Sequence, residues 1–127
     1  MTRKVFYSPK APEPKGTYSQ SISHNGILYI SGQIPIEPNT GNIIRGTIEE
    51  EARATFENIK IIIEEAGSKM EDTLKVTCYL SNMDDLKGFN NIYKEYFPKD
   101  PPARTTIQAG RLPMDVKLEI DAIVTIG

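Results

Sequence analysis

The sequence is poor in the residues that most covalent and metal chemistry depends on. It holds one cysteine, Cys78, one histidine, His24, and no tryptophan. A lone cysteine excludes an internal disulfide and a thiolate zinc site. A lone histidine excludes a multi-histidine metal centre. No Gly-x-Ser-x-Gly elbow, no Gly-x-Gly-x-x-Gly and no P-loop occurs. Any chemistry here is expected to need neither cofactor nor metal. Apolar runs such as Ile61-Ile62-Ile63 are far too short to span a membrane. Residues 1–6 show no apolar signal core, so the expected location is the cytoplasm. Fifteen Lys and Arg stand against seventeen Asp and Glu, a net charge of −2. Such a chain lacks the basic field that gathers nucleic acid.

What is present is ordinary globular material. A chain of 127 residues is the size of one domain, taken as residues 1–127. Prolines at 9, 12 and 14 make residues 8–17 an extended lead-in. Ser19–Ser23 and Ile27–Ser31 flank His24-Asn25-Gly26, and Asn-Gly is a strong hairpin signal. Pro38-Asn39-Thr40-Gly41 reads as a further turn. Thr47 followed by Glu50 forms a capping box. Ile48, Ala52, Phe56, Ile59, Ile63 and Ala66 then recur at helical spacing, and Gly67 is placed to end the helix. The remaining Lys and Glu of residues 49–65 read as its solvated face.

Leu74, Val76, Cys78 and Leu80 alternate with Lys75, Thr77 and Tyr79 as in a strand. Leu86, Phe89, Tyr93 and Phe97 mark one face of a second helix over roughly residues 84–96, stopped by Pro98, Pro101 and Pro102. Residues 103–109 and 116–126 read as strands. Two amphipathic helices cover one sheet face, giving a two-layer α+β domain. On the last strand Val116, Leu118, Ile120, Ala122, Val124 and Ile126 form the face under the helices. The other face carries Lys117, Glu119, Asp121, Ile123 and Thr125, with Tyr29 and Tyr79 as candidate companions. Such a mixed face suits contact with another subunit better than open water.

The candidate functional residues are few. Arg104 lies in Pro101-Pro102-Ala103-Arg104-Thr105-Thr106-Ile107, among small and apolar neighbours. Its planar fork fits a carboxylate, or serves a surface or interface ion pair. Glu119 either orients or deprotonates a water, or pairs with Lys117 of a neighbour or with Arg104. Gly32 in Ser31-Gly32-Gln33 gives a ligand close access to backbone or serves a bulge. Tyr18 and Asn90 are weaker candidates. Cys78 reads as a buried, inert thiol, and His24 as an exposed turn residue.

At these residues the chain resembles the RidA/YjgF family of enamine/imine deaminases, also labelled L-PSP endoribonucleases. The ordered set carries the resemblance: Ala11-Pro12, Gly16-Thr17-Tyr18-Ser19-Gln20, Ser31-Gly32-Gln33-Ile34-Pro35, Thr40-Gly41, Asn58, Ala66-Gly67, Asn90, Tyr93, Pro102-Ala103-Arg104-Thr105, Arg111-Leu112-Pro113 and Val116-Lys117-Leu118-Glu119-Ile120. It implies a chorismate-mutase-like fold, a six-stranded, mainly antiparallel sheet with two helices on one face. It also implies a homotrimer with clefts between subunits. The implied reaction is hydrolysis of 2-aminoacrylate and related 2-imino acids to 2-keto acids and ammonia, without cofactor or metal. Arg104 would clamp the substrate carboxylate and Glu119 would place the attacking water. Tyr18, Ser31, Gly32, Asn90 and Thr106 would line the cleft. Thr106 departs from the cysteine that many members carry there, and Thr17 from a common proline. The family also admits a non-catalytic 2-keto-acid regulator or an RNA-cleaving translation inhibitor, and the acidic charge balance opposes the latter.

Overall fold

A computed structural model of the chain describes residues 2–127. Six strands and two helices follow one another: β1 (Lys4–Phe6), β2 (Ser21–His24), β3 (Ile27–Gln33), α1 (Ile48–Glu65), β4 (Thr73–Leu80), α2 (Leu86–Tyr96), β5 (Ala103–Gln108) and β6 (Leu118–Thr125). The sheet order is β1-β2-β3-β6-β4-β5. All pairings are antiparallel except β4 with β5. Both helices pack on one face, so the expected two-layer α+β architecture holds.

Local chemistry explains most boundaries. Asn25 (φ 52°) and Gly26 (φ 76°) turn the β2–β3 hairpin in the left-handed region that Asn-Gly tolerates. The Thr47 hydroxyl accepts the Glu50 N–H, and the Glu50 carboxylate accepts the Thr47 N–H, starting α1. At its other end the Ser68 N–H bonds Ile63 O and the Gly67 N–H bonds Glu64 O, with Gly67 at φ 85°. This is the Schellman closure. The core lies between helices and sheet. Phe56 of α1 stacks 6.0 Å from Phe89 of α2, with Tyr93 and Phe97 at 5.8 and 5.9 Å. Beneath them Val116, Leu118, Ile120, Ala122 and Val124 are all buried, as their alternation predicted.

Several expectations need correction. The sequence reading placed no strand at Lys4–Phe6; three residues are too few to show a period, and pairing with β2 makes the strand. Helix α2 starts later than residue 84, because Met83–Asp85 forms a 3-10 turn capped by the Asn82 side chain. Leu74 is exposed, not core: the β4–β6 register shifts between Thr73 and Lys75 and turns it outward. His24 is half-buried at the end of β2, with Nδ1 enclosed. Glu51 is no part of a solvated face; it is 1% exposed.

Candidate active site

The parallel β4–β5 ladder sets Val76 beside Arg104 and Cys78 beside Thr106. Val76 and Cys78 belong to the core face, so Arg104 and Thr106 lie on the helix side of the sheet. There the Arg104 guanidinium stands 4.6 Å from the Tyr93 ring centre and 5.7 Å from that of Phe89. One of its nitrogens donates to Asn90 Oδ1 at 2.9 Å. Among the described residues no carboxylate comes within ion-pair distance of it. Its fork therefore retains donors for an outside anion. The Thr106 hydroxyl and the Tyr93 hydroxyl are enclosed and without hydrogen-bond partners among the described residues.

The adjacent β4–β6 ladder sets Tyr79 beside Glu119 and Thr77 beside Asp121. These alternate with buried Cys78 and Ile120, so Glu119 lies on the open face. Arg104 and Glu119 of one chain thus occupy opposite sides of the sheet, with β4 between their strands. Glu119 reaches instead toward β3. The β3–β6 register shifts between Ile30 and Gln33, and Gly32 falls in that irregularity. A Cβ on Gly32 would stand 2.8 Å from Glu119 Cδ and 3.1 Å from its Cγ. No side chain fits there without displacing the carboxylate.

Around Glu119 runs a cleft of about 520 Å³, lined by Tyr18, Ser31, Gly32 and Gln33, with Ile43 and Met114 on its apolar wall. Tyr18 is half exposed, and its hydroxyl accepts the Lys15 N–H at 3.3 Å. Ser31 donates to Ser19 O at 2.6 Å and fixes the Tyr18 loop to β3. Met114 (φ 58°) and Asp115 (φ 53°) turn the chain over this cleft, and Arg45 donates to Met114 O at 2.8 Å.

Protonation differs between the clusters. Glu119 is half-buried and accepts no hydrogen bond among the described residues. Burial first, and the nearby Asp121 carboxylate second, raise its pKa above the ordinary value. Asp121 is itself raised by burial, with the Tyr79 hydroxyl 3.5 Å away. On the other face burial pushes the Cys78 thiol up to about 12, against an opposing pull from Arg104. Burial also raises the Tyr93 hydroxyl to about 12. A thiol held so far above neutrality is no nucleophile. No group of three or more His, Cys, Asp or Glu able to hold a metal occurs among the described residues. No described helix is long and apolar enough to cross a membrane.

The profile of the family described as Endoribonuclease L-PSP matches residues 8–126. The chain belongs to the RidA/YjgF family. It is 46% identical to a RutC family protein of Pyrococcus horikoshii over 121 residues, covering 95% of this chain and 96% of that one. A protein of Dermatophagoides farinae named 2-iminobutanoate/2-iminopropanoate deaminase is 36% identical over 124 residues, covering 98% and 97%. The crystal structure of E. coli TdcF with bound serine superposes with a TM-score of 0.92 at 35% identity, covering 98% of this chain and 99% of that one.

The site residues expected from the RidA/YjgF resemblance thus fall into two groups. Arg104, Asn90 and Thr106 come together on the helix side. Tyr18, Ser31, Gly32 and Glu119 come together around the open-face cleft. The ladder also places the Cys78 thiol beside Thr106. Sequence reasoning missed two supports of the cleft. Asn58 is buried and donates to Ile34 O and Ile36 O at 3.3 and 2.9 Å. Glu51 is i+3 from Ile48 and i−4 from Thr55, on the buried stripe. That spacing was a readable signal.

Proposed function

We propose that the chain is a cytoplasmic homotrimeric deaminase of chorismate-mutase-like architecture that hydrolyses 2-imino acids, among them the imine tautomer of 2-aminoacrylate, to 2-keto acids and ammonia. The observation that carries this is the division of the site: a cation with no counter-ion among the described residues on one sheet face, a desolvated carboxylate on the other. In a cyclic trimer the β5 edge of one copy meets the cleft of the next, and each interface holds one Arg104 and one Glu119. The open face supports such packing, since Val5, Tyr29 and Ile107 are 64%, 46% and 46% exposed on it.

Arg104 binds the substrate carboxylate through its fork, steadied by Asn90 and the two rings. Tyr18, Ser31, Gly32 and Thr106 line the cleft around the bound acid. A protonated imine conjugated to a carboxylate is already electrophilic, so orientation and one water suffice. Glu119 takes a proton from that water as its oxygen bonds to C2, giving a carbinolamine. Glu119 then gives the proton to the amine. The C–N bond breaks, the hydroxyl proton leaves with ammonia as ammonium, and the 2-keto acid remains.

Two experiments test this. A PLP-dependent dehydratase generates 2-aminoacrylate from serine while semicarbazide traps the imine. The wild-type chain should compete with the trap; no competition from a chain that still binds 2-keto acids would replace hydrolysis with ligand sensing. For the shared cleft, Arg104→Ala and Glu119→Gln chains are unfolded together and refolded. Random mixing leaves about one interface in four with both residues intact, so about a quarter of the activity should return. No return would place the site within one chain.

A further inference from the structure

Glu51 stands apart from the other acids of α1. Glu50, Glu57, Glu64 and Glu65 are exposed, whereas Glu51 is 1% exposed. A buried carboxylate persists only where its oxygens are satisfied. One Glu51 oxygen accepts the Lys117 backbone N–H at 2.9 Å. The other accepts the Gly46 N–H at 3.3 Å and stands 3.7 Å from the Lys117 ammonium. Glu51 therefore ties helix α1 to two backbones at once. Gly46 ends the loop that carries Ile43 along the cleft. Lys117 lies immediately before β6, two residues ahead of Glu119, and its carbonyl accepts the Ser81 N–H at 2.9 Å.

Glu119 has no hydrogen-bond donor of its own among the described residues. Its aim depends on where β6 begins and on its fit against Gly32. We propose that Glu51 is a positioning residue for Glu119: by holding the Lys117 and Gly46 peptides it sets where the Glu119 carboxylate stands in the cleft. The kinetic consequence rests on the deaminase reading; the structural one does not.

The test compares Glu51→Met, which keeps bulk but removes the acceptor, with Glu51→Gln, whose amide oxygen still accepts the Lys117 N–H. Each is assayed by competition with semicarbazide and its crystal structure is determined. In Glu51→Met, kcat should fall on the order of 10- to 100-fold with KM nearly unchanged, and Glu119 should leave its place against Gly32. Glu51→Gln keeps the Lys117 acceptor but turns an amide N–H toward the Gly46 N–H, so it should restore both in part. Glu119 in place and kcat unchanged in Glu51→Met would overturn the positioning role while leaving the deaminase intact. An inactive wild type whose Glu119 still shifts in Glu51→Met and moves back toward its place in Glu51→Gln would sustain positioning and overturn the deaminase reading. Should Glu51→Met fail to fold, Glu51→Asp replaces it; a loss of kcat at unchanged KM is expected, and a wild-type kcat overturns the role.

Discussion

The helix-side cluster and the open-face cleft are built on opposite plans. Arg104 is held by its own contacts: two aromatic rings and the Asn90 amide. Glu119 is held by almost nothing of its own; backbone placement and the space left by Gly32 put it where it is. The difference matches what the proposed reaction asks of each. A clamp works best when its fork is fixed before the ligand arrives. A group that must both take and return a proton is hindered by donors that stabilise its anion. Burial without donors keeps the Glu119 carboxyl above its ordinary range, which suits exchange with water.

The sharpest way to break this contrast is to remove the proposed clamp. Arg104→Ala should lower 2-keto-acid binding by about 2–5 kcal/mol, roughly 30- to several-thousand-fold, with the fold intact. Isothermal titration measures it. Binding within a few-fold of wild type would move the clamp elsewhere. Glu119→Gln should behave in the opposite sense, retaining ligand while kcat drops by about 10²–10⁴. A raised KM with kcat unchanged would make Glu119 a binding group and erase the distinction.

The two clusters were unequally legible in the sequence. The periodic elements were plain: the Phe56 stripe, the Thr47–Glu50 box, the Asn25-Gly26 turn and the alternating last strand all report local physics. Arg104 and Glu119 were both singled out, yet their placement on opposite faces was not. It depends on the parallel register of β5 against β4, a pairing across residues distant in the chain. Leu74 misled because a bulge breaks the alternation it joined. Glu51 misled because charge outweighed spacing: it sits on the buried stripe, but a carboxylate there makes sense only once the Lys117 and Gly46 amides are seen to meet it.

Cys78 tests the support beneath the clamp at smaller scale. Cys78→Ser puts a hydroxyl into a fully buried position. Burial of a poorly paired hydroxyl costs about 1–3 kcal/mol. The enclosed Thr106 hydroxyl stands beside it and can pair with the new hydroxyl, so the cost should fall toward the lower end. Denaturant unfolding measures the change, and kcat should not move. A collapsed rate at unchanged stability would make the thiol part of the chemistry.

The smallest expected effect sharpens the account of Glu119. Asp121 lies on the same face two residues on, and its charge is the second cause, after burial, of the raised Glu119 pKa. In the proposed reaction Glu119 must be ionised to take a proton from water, so kcat should climb with pH through that raised value. Asp121→Asn removes the like charge and leaves the burial, so the acid limb should move to lower pH without reaching the ordinary carboxylate range. Stability carries the matching sign. The folded chain binds this proton more tightly than the unfolded one, so the Glu119 contribution is full below the ordinary value and is lost as pH rises through the raised one. Asp121→Asn narrows that window. An acid limb unmoved in Asp121→Asn, with Tyr79 and Gly32 still in place, would mean that burial alone sets the protonation of Glu119.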